Sequence, residues 1–115
     1  MAVLFDYLPE FERRAKDLAK KYKSFAQDYL VLLDELENNP FGGQSLGNHV
    51  YKYRMAISSK GKGKSGGARV ITYNLQEKGS GDILITLMTI YDKNEISNVS
   101  DAYLKSLVKL FVNRK

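Results

Sequence analysis

The sequence predicts an α+β fold in a single domain, residues 1–115, with an antiparallel-dominated sheet packed on an N-terminal helical hairpin. Three observations lead there. Between Pro9 and Asn39 the apolar residues recur at helical spacing in two successive blocks. From Val50 the pattern changes to strict alternation, the period of a half-buried strand. Ile83 to Tyr91 (ILITLMTIY) is then apolar at almost every position, as an interior strand is.

Taken in order, Ala2 to Tyr7 reads as a short first strand. Pro9 suits the first turn of a helix that places Phe11, Ala15, Leu18, Ala19 and Tyr22 on one face. Ser24, with Gln27 three residues on, has the form of a capping box for a second helix with Phe25, Tyr29, Leu32, Leu33 and Leu36 inward. Asn38-Asn39-Pro40 ends that helix, because the residue before a proline is pushed out of the α region. Phe41 to Asn48 reads as a glycine-rich connection. Val50 to Ser58 forms a strand with Tyr51, Tyr53, Met55 and Ile57 on one face and Lys52, Arg54, Ala56 and Ser58 on the other. Ala68 to Leu75 and Ile83 to Tyr91 complete the sheet, and Ser100 caps a last helix striped by Leu104, Leu107, Val108 and Phe111. The predicted order is β-α-α-β-β-β-α.

The charge is unevenly placed. No carboxylate lies between Glu37 and Glu77, an interval holding Lys52, Arg54, Lys60, Lys62, Lys64 and Arg69, whereas the remaining 12 of the 18 basic residues face all 13 acids. The net charge of +5 is therefore local, which predicts a polyanion-binding face on an otherwise balanced protein. With no cysteine, disulfides and Cys-based metal sites are excluded. The N-terminus becomes charged too early for a secretory segment and no apolar run approaches a membrane span, so a soluble, cytoplasmic domain is expected.

The basic residues concentrate in Ser59 to Tyr73, SKGKGKSGGARVITY, which runs into the second sheet strand. With LMTIYDKNEISNVS further on and the Asn-Asn-Pro stop, this resembles the RelE/HigB toxins of bacterial toxin–antitoxin pairs, and within them the HigB-like branch with a KGKGK-x-GG-x-R loop. The resemblance covers nearly the whole chain in element order. It implies a ribosome-dependent endoribonuclease that cleaves mRNA in the decoding site, neutralised by an antitoxin, often a helix-turn-helix repressor of the HigA kind. It implies no cofactor and no metal. The Lys-x-Lys pair of the RelE pattern corresponds to Lys52 and Arg54, and its strand-opening arginine to Arg69. Its Lys-Arg-Glu corresponds to Lys93-Asn94-Glu95, and Ser100 stands where that pattern has a catalytic tyrosine, with Tyr103 one helical turn on.

The chemistry required is modest. RNA cleaves itself through its 2′-hydroxyl when a base takes that proton, cations stabilise the phosphorane and the 5′-oxygen is helped to leave. Arg69 is the first candidate for the phosphorane, since a guanidinium holds two phosphoryl oxygens at once; its conventional alternative is a strand-end pair with Glu77 or Asp82. Arg54 is a second clamp, and Lys52 a candidate base if neighbouring cations depress its pKa. Lys93 completes the catalytic set. Lys60, Lys62 and Lys64, on a glycine loop, position RNA or ribosome rather than catalyse. Tyr91 is a candidate to stack on a base, its equal alternative being a half-buried strand-end tyrosine with a wet hydroxyl, and Asn94 a candidate to hydrogen-bond RNA. His49, the only histidine, reads as a solvated loop-end residue. Gly63-Lys64-Ser65 lacks the first glycine of a P-loop and precedes a strand instead of a helix, so ATP binding is not indicated.

Two other functions stay open at this level. ParE toxins share the fold and poison DNA gyrase, and a chain without a complete catalytic set would be a plain RNA- or ribosome-binding module. The apolar stripe of the last helix, especially Leu107 and Phe111, is a candidate antitoxin contact, with core packing as the alternative.

Overall fold

A computed structural model of the chain describes residues 2–113. Its elements are β1 (Val3–Tyr7), α1 (Pro9–Lys21), α2 (Phe25–Asn38), β2 (Gln44–Gly47), β3 (Val50–Met55), a 3-10 turn (Ser58–Lys60), β4 (Ala68–Gln76), β5 (Ile83–Asp92) and α3 (Asp101–Asn113). The five strands form one mixed sheet in the order β1-β5-β4-β3-β2. β1 runs parallel to β5, and the other three pairings are antiparallel.

The sheet divides the core in two. On one face Tyr53, Met55, Val70, Ile85 and Ile90 pack against Phe11 and Leu18 of α1 and Phe25, Leu32 and Leu36 of α2. On the other, Val50, Ile71, Met88 and Tyr91 meet Leu107 and Phe111 of α3. A register shift between Ile71 and Thr72 leaves Met88, on the α3 side, without a partner across β4 and resets the alternation, so that Leu87 and Ile90, three residues apart, both serve the hairpin side. Alternation from Tyr53 and Met55 therefore turns Lys52 and Arg54 to the α3 side of the sheet.

Several expectations are corrected. The glycine-rich connection contains β2, which forms a hairpin with β3. Asn48 and His49 turn that hairpin with φ of 51° and 70°, the paired left-handed conformation a two-residue connection needs. His49 is exposed there, beside the Tyr73 ring. The strand from Val50 stops at Met55 instead of Ser58, because the Asp28 carboxylate takes both the Ser58 N–H (2.9 Å) and its hydroxyl (2.6 Å). Ser24 forms no capping box; its hydroxyl donates to Asp28. Ala19 is exposed rather than inward. Pro9 does open α1, and the Ser100 hydroxyl does cap α3 by accepting from the Tyr103 N–H at 3.1 Å. Leu107 and Phe111 are core residues, so the α3 stripe is not a free contact surface.

Candidate nucleic-acid interface

Antiparallel pairing places Arg54, Arg69 and Tyr91 in one row across β3, β4 and β5, with Lys52 two residues from Arg54 on the same face. The two arginines are thus direct cross-strand neighbours, an arrangement of like charges that works against the sheet. Among the described residues neither is ion-paired with a carboxylate, and the same holds for Lys52 and Lys62. Arg54 is exposed and Lys52 half-buried.

Arg69 departs from expectation. It is 5% exposed, and it pairs with neither Glu77 nor Asp82. Its guanidinium donates to the carbonyls of Lys64 and Ala68 at 3.0 Å each and of Ser65 at 3.1 Å, tying down the end of the glycine loop. Burial, and then the charge of Arg54, push its pKa below the ordinary arginine value, while Tyr91 opposes them. The guanidinium is held by neutral dipoles and has no ion-paired carboxylate among the described residues.

Lys60 is also corrected. Its side chain is 5% exposed, lies over the Tyr22 ring, and is ion-paired at 2.8 Å with an Asp92 side chain that is 0% exposed. It anchors the loop's beginning instead of standing free in solvent. Burial favours the neutral form of Asp92, but bonds from Lys60, the Tyr22 hydroxyl and the Asn94 N–H outweigh it and hold the carboxyl at about 2. Lys21 bridges Asp92 (3.7 Å) and Glu95 (2.7 Å). At the loop's other end, a Cβ on Gly67 would sit 2.0 Å from the Met55 carbonyl oxygen, so only glycine allows this approach of the two chains. The Gly67 carbonyl accepts from the Lys93 N–H, which brings exposed Lys93 and Asn94 to the loop exit.

Tyr91 sits beside Arg69 as the antiparallel arrangement requires, but it is 3% exposed and offers no face for stacking. Its hydroxyl has no hydrogen-bond partner among the described residues, and burial pushes its pKa up. Tyr103 is bound elsewhere: its hydroxyl donates to Glu10 and lies 2.9 Å from that of Thr89, in the seam between α1 and α3.

Lys52, Arg54 and Lys64 border a groove of about 560 Å³ that runs between α2 and the β3 edge over Leu36 and Tyr53. Lys64 is ion-paired across it with Glu35 of α2. Sequence reasoning missed Asp28, Glu35 and Asp92, the acids that reach into the acid-free interval from outside it. A sign of Asp28 was present: it lies between Phe25, Tyr29 and Leu32 on the buried face of its helix, where a carboxylate needs partners. No protein-family model matches the chain.

Proposed function

We propose that this protein is an mRNA-cleaving toxin with a RelE-like fold of the HigB-like kind. The observation that carries the reading is the Arg54–Arg69 cross-strand pair beside Lys52, cations that oppose one another in the sheet and have no ion-paired carboxylate among the described residues. Such a pair is uncompensated until an anion arrives, and a scissile phosphate is an anion that two guanidiniums fit. The helical hairpin between the first strand and an antiparallel run, with a helix after the last strand, also agrees with the reading, β2 being an addition.

In this scheme Arg54 and Arg69 bind the phosphoryl oxygens, Arg69 exchanging its loop carbonyls for the phosphate. Lys52, acting as the free amine after releasing its own proton to solvent, takes the 2′-proton. The 2′-oxygen attacks phosphorus as the bond to the 5′-oxygen breaks, and the Lys93 ammonium gives that leaving oxygen its proton. Lys62, Lys64 and Asn94 guide the strand, and Lys60 holds the loop in place. The substrate is mRNA on the ribosome, and the physiological partner is an antitoxin that covers this face.

One observation favours a second reading. Arg69 spends three of its donors on carbonyls and Tyr91 is buried, so a non-catalytic RNA- or ribosome-binding module needs no rearrangement of either. A short pulse of expression followed by mapping of transcript 5′-ends separates the two. Cuts within codons that vanish with Arg69→Ala support the nuclease; growth arrest or ribosome association without cuts supports the binding module.

A further inference from the structure

Phe41 is a large aromatic side chain left 40% exposed at the mouth of the groove, immediately before Gly42 and Gly43, which line it. It is not loosely held. Its ring centroid lies 5.6 Å from that of Tyr51, which lies 6.5 Å from that of Tyr53. The preceding Pro40 carbonyl accepts from the Tyr53 hydroxyl and, at 3.1 Å, from the buried Asn74 amide. Just after it, Gly43 lies so close that a Cβ would stand 2.7 Å from the Tyr53 ring and 2.8 Å from the Lys52 carbonyl oxygen. An exposed ring on a fixed mount differs from an apolar side chain left over by packing.

The surroundings say what would cover it. β2 pairs with β3 only as far as Gln44 and Lys52, so the groove opens along β3, whose Lys52 and Arg54 have no ion-paired carboxylate among the described residues. Phe41 and Tyr51 lie on the helical-hairpin face of this edge and Lys52 and Arg54 on its α3 face. A chain that crosses the open edge meets an aromatic ring on one side and cations on the other, which matches an unpaired strand whose bases have π-faces and whose links carry phosphates. We infer that Phe41, backed by Tyr51, stacks one base of single-stranded RNA and sets the strand's path toward Lys52 and Arg54. This rests on the RNA-binding part of the proposed function and assigns to Phe41 the stacking role that Tyr91, being buried, does not fill.

The test is binding of the intact protein to a short labelled single-stranded oligoribonucleotide and to the same sequence as a duplex, across a salt series. Phe41→Leu keeps an apolar side chain and removes the ring; it should weaken single-strand binding about tenfold and leave duplex binding unchanged. Its salt slope should match the wild type, since no phosphate contact is lost, and Phe41→Trp should restore affinity. Wild-type affinity in Phe41→Leu, an equal loss on duplex, failure of Phe41→Trp to rescue, or no single-strand binding by the wild type would each overturn the platform. Transcript cuts that persist in Phe41→Leu with unchanged single-strand affinity would sink the platform and leave the nuclease; a stacking effect without cuts would do the reverse.

Discussion

The basic loop after the 3-10 turn and the β3 edge carry the same kind of charge and use it differently. On the loop, Lys60 is spent on buried Asp92 and Lys64 on Glu35, while Arg69 binds the loop's own carbonyls. On β3, Lys52 and Arg54 have no such partners among the described residues. Cation density along a chain is therefore a poor guide to cation availability in space. Lys60 and Arg69 hold the two ends of the loop in a rigid frame, Lys64 makes an exposed surface pair, and Lys62, like the strand's Lys52 and Arg54, has no ion pair among the described residues.

The largest effect that would break this contrast is on the frame. Asp92→Asn leaves Lys60 buried without its carboxylate, which should cost about 3–5 kcal/mol in urea unfolding. The wild type should share this dependence with pH. Because the folded Asp92 pKa is depressed to about 2, its stabilisation is complete above the unfolded carboxylate value of about 4 and is lost as pH falls from there toward 2. Asp92→Asn should flatten the stability profile over that window, and an unchanged profile would remove Asp92 from the frame. Gly67→Ala is next: the methyl meets the Met55 carbonyl, and overpacking of this kind should cost about 1–3 kcal/mol. A wild-type melting temperature for Gly67→Ala would show that the loop exit is loose.

The smallest stability effect has the opposite sign. Arg54→Ala removes one of two opposed charges and should raise stability by about 0.2–1 kcal/mol while weakening RNA binding. A variant that gains stability as it loses affinity marks a residue kept for function at the expense of the fold. Loss of both would mean that Arg54 has a structural partner after all.

Most of the fold was legible because its elements depend on local pattern. Pro9, Asn-Asn-Pro and Ser100 mark helix ends, and β5 is apolar on both faces because both cores press on it. β2 was not legible. Gln-Ser-Leu-Gly has no alternation, and its turn uses Asn48-His49 rather than the glycine pairs that commonly signal a hairpin. The parallel pairing of β1 with β5 depends on residues some eighty positions apart, as the Val3–Ile83 register shows. At the site, Lys52, Arg54 and Arg69 were brought together by a register that alternation implies. The partners of Lys60 and Arg69 were hidden, since one is an acid on another strand and the others are backbone carbonyls, to which no residue type points.

The contrast between frame and edge is tested most directly by the salt dependence of single-stranded RNA binding in two variants kept below their melting points. Each phosphate contact removed should reduce the slope of log affinity against log salt by about 0.7. Arg54→Ala should show that reduction, and Lys60→Met should keep the wild-type slope despite a less stable fold. A reduced slope in Lys60→Met with none in Arg54→Ala would contradict the assignment of phosphate binding to Arg54 and of anchoring to Lys60.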